Sequence, residues 1–197
     1  MCDAVAIAHA GADAHACTDT DPGRDADAAA ALPHAHADAQ EDLATVGGAP
    51  RITAIVACVD EAGRILIVKQ VAGPFAGAWL LPGGSVEENE RLEDAARREL
   101  LEETGYRVDQ LTRVAQYDVR SVPAGRFHFL VHLFRGGAVT GTPKPERGGE
   151  VRWATPSAVD PHPNLAVALL DLGFIERDRS EILRELEESG VEMRRVL

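Results

Sequence analysis

Residues Gly84 to Tyr106 read GSVEENERLEDAARRELLEETGY, and this stretch says more about the molecule than any other. A helix turns about 100° per residue, so residues three, four and seven apart share a face. Counted from Leu92, the positions Ala95, Ala96 and Leu100 form one apolar stripe that packs inward. Glu99 and Glu103 fall in the middle of that stripe, Glu102 at its edge, and Leu101 on the opposite side. Carboxylates therefore stand where the core pattern would continue. Burying them bare is costly, and clustered acids repel one another unless a cation sits among them. A divalent metal is the natural candidate. The alternative, a solvated charged helix, would turn the acids away from Leu92 and the alanines.

The chain entering this helix is equally pointed. Leu81, Pro82, Gly83 and Gly84 read as a tight turn in which proline presets one dihedral and glycine accepts positive ones. Glycine also lets backbone approach a ligand closely. Glu87 and Glu88 suit a helix start, where the dipole favours negative charge. Arg98 can pair with Glu90 and pin the loop to the helix, which makes those two residues structural and leaves Glu99, Glu102 and Glu103 as the chemical set.

The segment resembles the signature of the Nudix hydrolases, the MutT-like enzymes among them. Gly84, Glu90, Arg98, Glu99, Leu100, Glu102, Glu103 and Gly105 occupy its fixed positions at the family's spacing. Tyr106 stands where the family usually has an aliphatic residue, and Asn89 where many members have glycine; both are packing or loop positions. The wider resemblance runs from about Arg51 to about Ala158, including the approach Ala78 to Gly84 and the later Glu150 to Trp153. It implies an α/β Nudix fold, a mixed β-sheet sandwiched between α-helices. It also implies hydrolysis of a diphosphate linkage in a nucleoside diphosphate joined to another group, with Mg2+ or Mn2+. By position it makes Glu99 and Glu103 the principal metal ligands with the Gly83 carbonyl nearby, and Glu102 a further ligand or a base. It further implies a loop acid that orients the attacking water, for which Glu146 and Glu150 are equal candidates.

Oxygen donors of this kind suit hard divalent cations, which neutralise a diphosphate and activate a bound water. The preferred substrate is a free nucleoside triphosphate, oxidised forms included, followed by ADP-ribose or another nucleotide sugar and then dinucleoside polyphosphates. A nucleotide-sensing module that does not cleave is a second reading, disfavoured by the complete set of acids. An isomerase on the same fold would need an activated cysteine, and Cys58 lies in an apolar strand far in sequence from anything that would activate it. Phe75 and Trp79 flank the glycine segment and could stack on a base, and His128 is a third candidate contact.

The 197 residues divide unevenly. Residues 1–48 are rich in Ala and Asp, and the first fifty carry about −8 of the net charge of −12, with Arg24 their single base. They read as a disordered tail with at most some helix near Ala26–Leu32, and residues 49–197 as the hydrolase domain with C-terminal helices. The tail lacks the basic start and apolar run of a signal peptide, and no stretch reaches the ~18 apolar residues of a membrane span. Cys2, Cys17 and Cys58 lack paired or metal-type spacing, as expected of reduced thiols in a cytoplasmic protein. His34 and His36 are ordinary tail histidines. Acidity argues against polymeric nucleic acid as a partner, and the resemblance permits a monomer or a homodimer.

Strands are expected at Ile52–Val59, buried on both faces, at Arg64–Lys69, Trp79–Leu81, within Tyr106–Val119, at Phe127–Phe134 and at Glu150–Ala154. The box helix is expected from Arg91 to Thr104, with later helices at Leu165–Leu172 and Ser180–Ser189. Alternation puts His128 and His132 on one strand face, at a pocket rim or in solvent.

Overall fold

The computed structural model describes residues 48–159 and 161–197. Expectations for the N-terminal segment, including Cys2, Cys17, His34, His36 and the helix near Ala26, lie outside the described residues.

A mixed five-stranded sheet forms the centre. Strands β1 (Arg51–Ala57), β4 (Gly83–Ser85), β6 (Leu111–Ser121), β7 (His128–Gly136) and β10 (Val191–Arg195) lie in the order β10-β6-β7-β1-β4. Only β1 and β7 run parallel, with Thr53 beside Val131; the other pairs are antiparallel. A second sheet is made of β2 (Ile65–Lys69), β3 (Trp79–Leu80) and β9 (Glu150–Ala154), and a small ribbon of β5 (Tyr106–Val108) and β8 (Val139–Gly141). Helix α1 (Leu92–Thr104) covers one face of the large sheet, where Ala95, Ala96 and Leu100 pack on Ala54, Val56 and Phe134. Helices α2 (Pro163–Asp171) and α3 (Arg179–Glu188) cover the other, where Leu165, Leu169, Ile182 and Leu186 meet Tyr117 and Leu133. Alternation along β7 sorts its side chains between these two layers. The expected sandwich is present.

Several local expectations are corrected. Strand β1 is buried on both faces only at Val56 and Ala57; Ala54 is buried on one face, Thr53 and Ile55 are half-buried on the other, and Ile52 is 42% exposed. Residues Gly83 and Gly84 do not turn but form β4, paired to Ile55 and Ala54. Gly83 has φ +150°, and a Cβ there would stand 2.3 Å from the Ala54 carbonyl oxygen, so only glycine fits against β1. Glu87 and Glu88 precede the helix, whose first turn carries Glu93 and Asp94 instead. Gly105 closes α1 in the left-handed conformation and donates its N–H to the Leu101 carbonyl. His132 faces the α1 layer and is buried, not at a rim. No helix among the described residues is long and apolar enough to cross a membrane.

Candidate active site

The helix stripe and β4 meet at the carboxylates. Glu99 lies against Gly84 so closely that a Cβ on that glycine would fall 2.5 Å from the carboxylate. One turn on, Glu103 accepts a hydrogen bond from the Gly83 N–H at 2.9 Å. Pairing to β1 is what holds the two glycines under the acidic face of α1. Glu102 takes another course: its side chain is 57% exposed and turns back toward Arg98. The structure thus draws Glu99 and Glu103 together at β4 and leaves Glu102 on the rim.

Arg98 organises the approach. Its guanidinium grips Glu90 through two bonds of 2.8 and 2.9 Å, donates to the Ser85 carbonyl, and reaches Glu99 at 2.8 Å and Glu102 at 3.3 Å. Glu90 in turn accepts the Glu87 N–H. The pair expected from spacing therefore joins loop, strand and helix through a bidentate fork. Arg98, foremost, holds the Glu90 carboxyl below the usual range.

Electrostatics separate the inner acids. Burial raises the Glu99 carboxyl; Arg98 opposes this, while Glu102 and Glu90 add to it. Glu103 is pushed up to about 8, by burial first, against the Gly83 N–H, and then by repulsion from Glu99 and Glu146. No cation is among the groups acting on it. This is a carboxylate whose charged form lacks a positive partner among the described residues.

The two loop acids stand in different surroundings. The Glu146 N–H points at the Glu103 carbonyl, 3.4 Å away, and Glu146 contributes to the repulsion on Glu103. Glu150 sits on β9 opposite Lys69 and pairs with its ammonium at 2.7 Å.

Beside the acids a cavity of about 150 Å³ lies between the large sheet and α2. Gly83 and Gly84 form its edge nearest the acids, Phe75 and Phe129 contribute aromatic wall, and Leu165 and Ala168 the helix side. The lining is mostly apolar; of its polar residues, Gln70 bonds Glu103, while Thr53 Oγ1 and Asn164 Oδ1 are buried without hydrogen-bond partners. Such atoms are costly unless a ligand or water satisfies them. Neither residue stands out in a reading for catalytic acids. Thr53 is nevertheless the single polar residue in the run Ile52–Cys58, and Asn164 directly follows the proline that opens α2. Both positions have a sufficient structural explanation in sequence, which hides them.

The aromatic candidates divide. Phe75 lines the cavity, in edge contact with Phe127 and His162 at 5.4 Å. Trp79 is outside that lining, with the Arg152 guanidinium 4.0 Å over its ring. His128 points to the opposite sheet face, its Nε2 3.2 Å from an Asp118 oxygen. Cys58 is fully buried and its thiol is pushed up to about 12 by burial, which makes it inert at neutral pH.

The donors suit a hard divalent cation: they are oxygens, two are partly buried, and Glu103 is destabilised in its charged form for want of positive charge. As the side chains lie, no three His, Cys, Asp or Glu groups among the described residues enclose an ion. Glu99 and Glu103 could hold one at β4, with Glu102 reaching it by rotating away from Arg98.

An acid-faced helix laid over a glycine strand, in a mixed sheet between helices, is the architecture the site presents. A profile described as NUDIX domain matches residues 49–172. The chain belongs to the NUDIX family. It is 38% identical over 90 residues to an oxidized purine nucleoside triphosphate hydrolase of Mus musculus, covering 46% of this chain and 57% of that protein. It is 36% identical over 86 residues to an ADP-ribose pyrophosphatase of Bacillus subtilis, covering 43% of this chain and 44% of that one. The chain thus spans less than two thirds of the curated relatives it matches. Among solved structures, a MutT NUDIX hydrolase from Burkholderia pseudomallei is similar with TM-score 0.58 and 28% identity, covering 64% of this chain and 99% of that one.

Proposed function

We propose that the chain is a Mg2+- or Mn2+-dependent diphosphatase that cleaves a nucleoside diphosphate joined to another group, with nucleoside triphosphates, oxidised purine forms included, as the preferred substrates. One observation carries this reading: the acid-faced β4 segment is also the edge of an apolar cavity that holds two unpartnered polar atoms. A nucleotide has the matching anatomy, with a phosphate chain at one end and a flat base with polar edges at the other. In this reading Thr53 and Asn164 bond the base edge, Phe75 and Phe129 cover its faces, and the diphosphate lies over Gly83 and Gly84.

The ion, when bound, neutralises the diphosphate and acidifies a water. Glu99 and Glu103 hold it, and the Gly83 N–H fixes the Glu103 carboxylate in place. Arg98 keeps α1 at a set distance from the glycine strand. Glu146, near Glu103, is the better placed loop acid to orient the water, whereas Glu150 is engaged with Lys69. Glu146→Gln is expected to lower kcat by about 10²-fold, the scale of a general base. Glu150→Gln, measured beside it, stays within a few-fold; equal, mild effects would remove the loop acid from the reaction.

The deciding experiment is phosphate release from a panel of nucleoside triphosphates, ADP-ribose and dinucleoside polyphosphates, with Mg2+ and Mn2+. Metal-dependent turnover of a triphosphate above the others is the expected result. A chain that binds these nucleotides without cleaving any would be a sensing module instead, and the diphosphatase reading would be lost.

A further inference from the structure

The NUDIX match ends at residue 172, yet the chain continues through α3 and β10. This segment is firmly built into the domain. Ile182, Leu186 and Val191 are buried in the core over α2, and β10 adds the outermost strand beside β6. Asp171, at the end of α2 and with its side chain 1% exposed, accepts from the Tyr117 hydroxyl at 2.6 Å and pairs with Arg179 and Arg195 from the segment. The segment is thereby clamped to the wall of the cavity. Among its described residues one, Met193, lines that cavity; it stands opposite Val119 in the β10–β6 register and is 8% exposed.

The cavity crosses the sheet. Its lining takes Gly83 from β4, Ile55 from β1, Val131 from β7, Val119 from β6 and finally Met193 from β10. Four strand spacings separate the first from the last, roughly 19 Å along the sheet at about 4.8 Å each. Met193 is therefore at the end farthest from the acids. It meets the part of a ligand most remote from the diphosphate.

We propose that the C-terminal α3–β10 segment is a substrate-selecting element, in which Met193 closes the far end of the cavity and sets the size of base that the enzyme accepts. This rests on the nucleotide reading above. Methionine suits the role because its unbranched thioether adapts to a flat ring and packs against aromatic edges. Its backbone is fixed by the β10–β6 ladder, so changes in side-chain volume translate directly into cavity length. Ile182, Leu186 and Val191 serve the fold without facing the cavity.

The test measures kcat and KM of the full chain with Mg2+ on three substrates: a pyrimidine nucleoside triphosphate, a purine nucleoside triphosphate, and a purine analogue with a bulky exocyclic substituent. Met193→Phe should raise KM for the purine by about tenfold or more, the discrimination a pocket gives to added methylene volume, with kcat within twofold and the pyrimidine unchanged. Met193→Ala should lower KM for the bulky analogue by a similar factor. Thermal melts accompany each variant; if Met193→Phe does not fold, Met193→Ala on the bulky analogue decides. KM values that shift together on all three substrates, or not at all, overturn the proposal while leaving the diphosphatase reading standing. A wild-type chain that hydrolyses none of the three overturns both.

Discussion

Glu103→Gln is expected to abolish metal-dependent turnover, by roughly 10²- to 10³-fold or more, while making the metal-free protein more stable. The loss follows from charge. A metal clamp contributes several kcal/mol to stabilising a phosphoryl transition state, and each 1.4 kcal/mol is about tenfold in rate. Glutamine keeps the shape and can still accept the Gly83 N–H, so the fold of β4 against α1 is retained. The gain in stability has the same origin. Glu103 is partly buried, repelled by Glu99 and Glu146 with no cation among the described residues acting on it, and glutamine removes that burden.

The sign of the pH dependence makes this separable from ordinary destabilisation. The folded-state value of Glu103, about 8, lies above the unfolded value of 4.5. Folding therefore favours the protonated acid, whose stabilising share is complete below the unfolded value and is lost as pH rises through the folded one. The melting temperature of metal-free wild type should fall between about pH 4.5 and 8 relative to Glu103→Gln, and the two should converge in acid. Added Mg2+ or Mn2+ should raise the wild-type melting temperature at neutral pH and leave the variant unmoved. A variant as active as wild type, or melting curves that stay parallel across pH, would remove Glu103 from the proposed ligand set.

What the sequence discloses about this site follows from periodicity and chemistry acting on the same residues. The stripe Leu92, Ala95, Ala96, Leu100 fixes how α1 docks, so the direction of Glu99 and Glu103 is legible once the helix is placed. Arg98 and Glu90 are eight residues apart, and their pairing is readable because few cations are near enough to compete. Glu102 is less legible. Its position at the stripe edge leaves its rotamer to Arg98, and the side chain goes outward. The glycines were readable as close-approach residues but not as a strand, since pairing of Gly83 with Ile55 is a long-range choice that no local propensity reports. Strand β10 is missed for the same reason: Val191–Arg195 holds two charged residues at its end and alternates too briefly to signal, and only its pairing with β6 makes it a strand. Thr53 and Asn164 show the limit most clearly. Each is distinguished by what it lacks, a hydrogen-bond partner, and a missing partner is a property of the packed fold alone.

Gly84→Ala is expected to cost activity with little cost in stability, whereas Gly83→Ala unfolds or strongly destabilises the domain. At Gly84 the backbone is compatible with alanine, and the atoms a Cβ would meet, at 2.5–2.6 Å, belong to the free end of the Glu99 side chain. That carboxylate can swing aside, so the fold adjusts cheaply. Swinging aside is what the chemistry does not tolerate: Glu99 leaves its place next to Glu103, and a shift on the order of 1 Å in a catalytic constellation costs about 10²-fold. At Gly83 the obstacles are the Ala54 carbonyl oxygen at 2.3 Å and the Ile55 Cα at 2.5 Å, both backbone of the central strand, at φ +150°. Nothing there can yield without parting β4 from β1. Side-by-side melts and Mg2+-dependent rate measurements separate the two cases, and Glu99→Gln supplies the reference for a misplaced carboxylate. If Gly84→Ala keeps full turnover, the proximity of Glu99 to β4 is a packing detail and the ligand set must be drawn without it.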